Sequence, residues 1–154
     1  RDLEQAKSYV IGRYYGQNEK RFGLLASARD KILPAFGIDN DFMTTRRFRG
    51  GPWFNDPPNS TASCCALNSV ATEFQCQGLE LDFPIVCWGD DLLWEDKWKT
   101  FSKRSKAKDP HNLRLNSYRV LLSRGRDGMV IFVPSISKLD STYEFLLKCG
   151  LKPI

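Results

Sequence analysis

An open, three-layer α/β domain with a mainly parallel sheet is the fold this sequence predicts, and three kinds of observation carry the prediction. Apolar runs too continuous for a one-sided sheet stand at 21–26, 84–88 and 129–133. Segments with apolar residues at helical spacing surround them, at 3–15, 112–123 and 137–148. The length, 154 residues, suits one domain over 1–154, and 42% hydrophobic with 27% charged residues is ordinary globular usage.

Taken in order, Leu3, Ala6, Val10 and Tyr14 fall on one face of a helix over 3–15. Residues 21–26 read as a buried strand, after which Ser27 caps a short helix through Leu33, limited by Pro34. Residues 39–62 lack periodicity and hold Gly50–Gly51–Pro52 and Asp56–Pro57–Pro58, so they read as a loop-rich insertion. Residues 69–74 alternate as a strand with Val70, Thr72 and Phe74 on one face. The run 84–88 is a buried strand that tolerates Pro84 at its start. A second loop-rich insertion covers 90–112; its lysine-rich part, 97–110, reads as surface loop or frayed helix. Leu115, Tyr118 and Leu122 stripe the next helix, with Gly125 as the residue that ends it. Asp127–Gly128 turns into strand 129–133, and a last helix over 137–148 stops at Gly150.

Composition narrows the function classes. Lys and Arg number 23 against 18 Asp and Glu, a net charge of +5 that permits an anionic partner without requiring one. Five cysteines without a CxxC spacing point to reduced thiols and a cytoplasmic protein, with the Cys64–Cys65 pair read as strand packing. A lone His111 and no ligand-spaced cysteines argue against a metal site. No apolar stretch approaches the ~20 residues a membrane span requires.

Open α/β sheets place their sites in loops beyond the carboxyl ends of the strands. Two segments fit that expectation: the loop after Phe74, and the helix end that returns into strand 129–133. In the first, Gln77, Gly78 and Glu80 set polar groups and a flexible backbone position at the strand mouth. In the second, Arg119, Ser123 and Arg126 share a helix face, and Arg124 sits in the last turn. Each segment also has a plain structural explanation, an ordinary turn for the first and a solvated helix end for the second. No GxxxxGK[ST] stretch is present to cradle a triphosphate.

Together the segments resemble a known pair. Ala71-Thr72-Glu73-Phe74-Gln75-Cys76-Gln77-Gly78-Leu79-Glu80-Leu81-Asp82 resembles motif V of UvrD-like superfamily-one helicases. Tyr118-Arg119-Val120-Leu121-Leu122-Ser123-Arg124-Gly125 resembles their motif VI. The nearer likeness is to the Schlafen group 3-like DNA/RNA helicase family, and it extends over about residues 20–134 with Arg21-Phe22-Gly23-Leu24-Leu25-Ala26-Ser27 as the opening strand. The resemblance implies a second RecA-like domain that lacks the P-loop. It implies Arg124 as the catalytic arginine that meets the γ-phosphate. It places Gln77, Gly78 and Glu80 near the nucleotide, and Thr72 at the strand end that meets nucleic acid. Arg119, which has no fixed counterpart, is grouped with the nucleotide side. Ser123 stands where the wider superfamily prefers Thr, and Gly125 where it prefers Ala.

On that resemblance ATP and Mg would be bound mainly by a preceding RecA-like domain of the same chain, and this segment alone would be inactive. The start at Arg1, without an initiator Met, reads the same way, as a domain taken from a longer chain. Two basic stretches with interleaved aromatics are candidates for single-stranded DNA or RNA. The favoured one holds Arg46, Arg47, Arg49 and Trp53; the other holds Lys97, Trp98, Lys99, Phe101, Lys103, Arg104, Lys106 and Lys108. The alternative is a nucleic-acid-binding or protein-interaction module of helicase ancestry without turnover.

Overall fold

A computed structural model of the protein describes residues 1–100 and 108–154. The helix expected at 3–15 is α1, Leu3–Arg13. It starts there because the Asp2 carboxylate accepts from the Glu4 and Gln5 amides at 2.8 and 3.1 Å. Ala6 and Val10 turn into the core.

Four short strands form the sheet: β1 (Leu24–Ala26), β2 (Val70–Thr72), β3 (Ile85–Cys87) and, last in the chain, β6 (Val130–Phe132). All pairings are parallel and the order is β2-β1-β3-β6. Leu24 aligns with Val70 on one side and Ile85 on the other. Every residue of β1, β2 and β3 is buried, which accounts for the unbroken apolar runs. The chain lays β2 on one side of β1 and β3 on the other, so the sheet reverses its direction of growth at β1. Beyond the carboxyl ends of β1 and β3 lies the crevice where such sheets collect polar groups.

The insertions are more ordered than their sequences suggest. Residues 39–62 contain α2 (Phe42–Thr45), capped by Asp41, and α3 (Gly50–Asn55). Residues 90–112 contain an antiparallel hairpin of β4 (Leu93–Trp94) and β5 (Trp98–Lys99), and the first residues of α4 (Pro110–Leu122). The hairpin folds onto α5 (Asp140–Lys148) through Trp94, whose ring stacks on Phe145 with centroids 3.5 Å apart. Trp88, Leu93, Tyr118, Leu139 and Leu146 close this second apolar cluster.

Four sequence expectations are corrected. Residues 27–32 turn instead of forming a helix, and a 3-10 helix follows at Leu33–Phe36 with Pro34 in its first turn. The Asp30 carboxylate accepts from the Ile32 and Leu33 amides, and the Asn40 amide group donates to the Ser27 and Asp30 carbonyls. These local bonds displace the helical ladder. β2 ends at Thr72, because the Gln75 and Cys76 amides fold back onto its carbonyl. Phe74 is consequently 67% exposed instead of core-facing. Gly125 lies outside the left-handed region, and Ser123 is the C-cap of α4. Position 125 needs glycine for a close approach: a Cβ there would overlap the Gly128 carbonyl oxygen. The Cys64–Cys65 pair belongs to a 3-10 helix, Cys64–Ala66, with free buried thiols, instead of a strand. Among the described residues no helix is long and apolar enough to cross a membrane.

Candidate functional site

The residues singled out by sequence divide between the two ends of the sheet. Beyond Thr72 the chain turns and runs back through Gln77–Leu81 to the amino end, where it enters β3. There Gly125 bridges Leu81 in parallel, the Leu81 amide donates to the Arg124 carbonyl at 2.8 Å, and the Arg126 amide donates to Leu81 at 2.9 Å. The helix end carrying Arg124 therefore lies at the amino edge of the sheet, a correction to the carboxyl-end placement expected for it. The reason is topological, since a helix that feeds a parallel strand must finish where that strand starts.

This edge brings Arg124 onto the Gln77–Glu80 turn. Its Nη1 donates to the Leu79 carbonyl at 3.2 Å, Nε to Val120 at 3.1 Å and Nη2 to Ser123 Oγ at 3.0 Å. The guanidinium is half-buried and three of its five N–H donors serve these bonds. Gly78 holds φ at 76°, a conformation glycine adopts without cost, and it is exposed together with Gln77 and Glu80. Glu80 pairs with Arg126 at 3.0 Å on open surface. Arg119 is exposed and donates to Asn116 on its own helix.

The carboxyl end holds what the sequence reading missed. Arg114 of α4 donates to Ser27 Oγ at 2.6 Å and pairs with Glu73 and Asp91, each at 3.1 Å. Ser27 Oγ donates to Asp91 at 2.5 Å, and Tyr118 donates to the other Asp91 oxygen at 2.7 Å. Glu73 also accepts from the Ala28 amide at 2.7 Å, and Asp30 from the Asp90 amide at 2.6 Å. Ser27, Glu73 and Asp91 follow β1, β2 and β3 in turn. Their convergence at the switch point leaves no linear signature.

Burial dominates the acid strengths here. It lifts the Asp30 carboxyl to about 6, against the pull of the Leu33 amide and with Asp91 and Asp90 adding repulsion. Asp91 is raised as well, with burial outweighing the attraction of Arg114. A raised folded-state value means the folded protein binds the proton more tightly. Stability is then present below the ordinary value of 3.8 and declines as pH rises toward about 6. Asp30→Asn is expected to flatten this decline, whatever its constant cost from facing an amide toward the Asp90 N–H. Urea midpoints of both proteins across that range check it, and an unchanged slope would refute the assignment to Asp30.

A groove of about 500 Å³ opens beside this cluster, lined by Ala28, Arg29, Lys31, Phe42, Thr45, Arg46, Thr72, Phe74 and Gln75. Phe42 and Phe74 are 73% and 67% exposed, and Arg29, Lys31 and Arg46 are exposed cations. Asp41, at the base of α2, is engaged by the Met43 and Thr44 amides and the Thr44 hydroxyl. Thr72 lines the groove but is buried, and its hydroxyl donates to Gln75 Oε1 at 3.0 Å.

Of the loop residues expected to meet nucleic acid, Arg46 joins this groove, whereas exposed Arg47 and Arg49 line a separate cavity beside Val70. Trp53 is corrected: it is 2% exposed, packed on Phe48 and against Gly23, so its ring faces are taken. Of the second basic stretch, Trp98 and Lys99 build the hairpin, and Phe101, Lys103, Arg104 and Lys106 lie outside the described residues.

Comparison with known proteins gives one informative result. Neither the curated proteins nor the solved structures compared match the chain. Residues 1–135 match the family described as Schlafen group 3, DNA/RNA helicase domain. With most of its length matched, this chain belongs to the Schlafen group 3 DNA/RNA helicase domain family.

Proposed function

We propose that this chain is the second RecA-like half of an ATP-driven motor on single-stranded DNA or RNA, of superfamily-one type. The contact between Arg124 and the Leu79 carbonyl carries the proposal, because it unites two segments 45 positions apart on one exposed edge. A preceding RecA-like domain would hold ATP and Mg. This chain would close the cleft with Arg124, whose planar fork meets charge building on the transferred phosphoryl group. Gln77, Gly78 and Glu80 would border the nucleotide, with Arg119 further along the helix. The deciding measurement is ATP turnover by the intact protein with and without Arg124→Ala.

At the opposite edge, the groove of Arg29, Lys31, Arg46, Phe42 and Phe74 would carry the polynucleotide, with Thr72 beneath it. Cations would meet phosphates and the two rings would stack unpaired bases. Phe42→Ala/Phe74→Ala is expected to raise Kd for an oligothymidylate by about tenfold or more, since a stacked base contributes about 1–3 kcal/mol. Fluorescence anisotropy checks it, with an oligouridylate to compare RNA and a duplex to test strandedness. Equal affinity of the double variant would remove the groove from the proposal. Because the groove stands apart from Arg124, a binding module without turnover is the second reading. It is favoured if binding needs the groove while Arg124→Ala changes nothing.

A further inference from the structure

Two segments connect the groove edge of the sheet to the Arg124 edge, tied together at one end by Arg114 of α4 and at the other by Arg124, two residues beyond its end. The first is 73–80, which leaves β2 at the carboxyl end and reaches Leu81 at the amino end. The second is α4, with 13 residues, about 20 Å of rigid helix. At the groove edge Arg114 pairs with Glu73, and at the other edge Arg124 donates to Leu79. The result is a closed frame with one arginine at each corner joint.

We infer that Arg114 is a positioning residue that couples occupancy of the groove to the placement of Arg124, an inference that rests on the function proposed above. Its side chain is 12% exposed, between Glu73 and Asp91 side chains exposed by 4% and 12%. It takes one partner from the carboxyl end of each of three adjacent strands, namely Ser27, Glu73 and Asp91. Two of those partners sit one residue from the groove walls: Ser27 precedes Ala28, and Glu73 lies between Thr72 and Phe74. Glu73 also holds the Ala28 amide, so both walls move with the Arg114 clamp. A buried ion cluster of this kind is a weak stabiliser, since apolar groups of the same volume often do as well. Its geometry is strict, however, because a misplaced partner leaves a charge buried alone. A strand of nucleic acid that presses on Phe74 therefore displaces α4 and 73–80 as one body, and the far ends of both lie against Arg124.

The test uses the intact protein with an oligothymidylate as ligand. Arg114→Gln is expected to leave unstimulated ATP turnover and the KM for ATP unchanged. It should reduce stimulation by the oligonucleotide at least about fivefold, the lower end of typical coupling. Arg114→Lys, which keeps the charge but not the fork, should recover part of it. Glu73→Gln/Asp91→Asn/Arg114→Met leaves no charge of the clamp buried alone, so it should fold and be equally uncoupled. A readout independent of turnover is amide exchange at Leu79–Leu81: it slows on oligonucleotide binding in the native protein and does not respond in Arg114→Gln. Stimulation and the exchange response persisting in both uncoupled variants would overturn the inference. If Arg124→Ala leaves turnover unchanged, the proposed function fails by itself, and the exchange response still decides the coupling.

Discussion

Alanine at position 124 is expected to lower ATP turnover by the intact protein about a thousandfold or more, the range such arginines supply in phosphoryl transfer. The physical basis is the charge that spreads over the transferred group as its bond loosens. A guanidinium delivered into a closed, poorly solvated cleft stabilises that charge far more than it does the ground state. Arg124 is suited to this because bonds to Val120, Ser123 and Leu79 hold its stem while two N–H donors are left for a ligand. The competing account is that Arg124 only neutralises the carbonyl end of α4. Removing a cation from a helix C-terminus costs about 0.3–1 kcal/mol of stability and leaves chemistry alone. Turnover at saturating ATP separates the two, and a loss below about tenfold would favour the structural account over the roughly thousandfold catalytic role. Arg124→Lys should recover little, because a point charge does not reproduce the two-pronged donor geometry.

Trp88→Ala is expected to destabilise the fold by about 3–5 kcal/mol, the range for removing a large buried aromatic. Trp88 directly follows β3 and is 1% exposed. Its ring lies 4.3 Å from that of Tyr118 and 5.4 Å from that of Trp98, and its Nε1 donates to the Leu92 carbonyl at 2.8 Å. The substitution would empty the centre of the second cluster, orphan a buried carbonyl and release the Tyr118 side of α4. Chemical denaturation with a constant m-value would report it. A loss of less than about 1 kcal/mol would mean that the hairpin and α5 collapse into the gap, which the spread among such substitutions allows for.

Much of the fold was legible because buried parallel strands have a simple signature. Leu24–Ala26, Ile85–Cys87 and Val130–Phe132 fall within the apolar runs that announce them. Helices α1 and α4 followed from apolar spacing; the caps Asp2 and Asp109, which hold the first amides, emerged only in the structure. Phe74 was misplaced because alternation in a short window cannot tell a strand from a strand plus turn. Trp53 was misplaced for a related reason, since an aromatic amid arginines has the composition of a stacking residue whether its ring points out or in. The groove was invisible because Arg29, Lys31, Phe42 and Phe74 come from three separate segments that only the tertiary fold brings together.

The sequence by itself determined the α/β class and the strand cores, and it singled out the Gln77–Glu80 and Arg124 segments as a pair. These rest on local periodicity and on short runs of adjacent residues. Only the tertiary structure decided which end of the sheet each segment occupies. It put Arg124 at the amino edge and the basic, aromatic groove at the carboxyl edge, and it gathered Ser27, Glu73, Asp91 and Arg114 beside that groove. Those outcomes depend on strand order and register, which arise from contacts between residues far apart in the chain. A linear pattern carries the preferences of each residue but not the partner it will meet across the sheet.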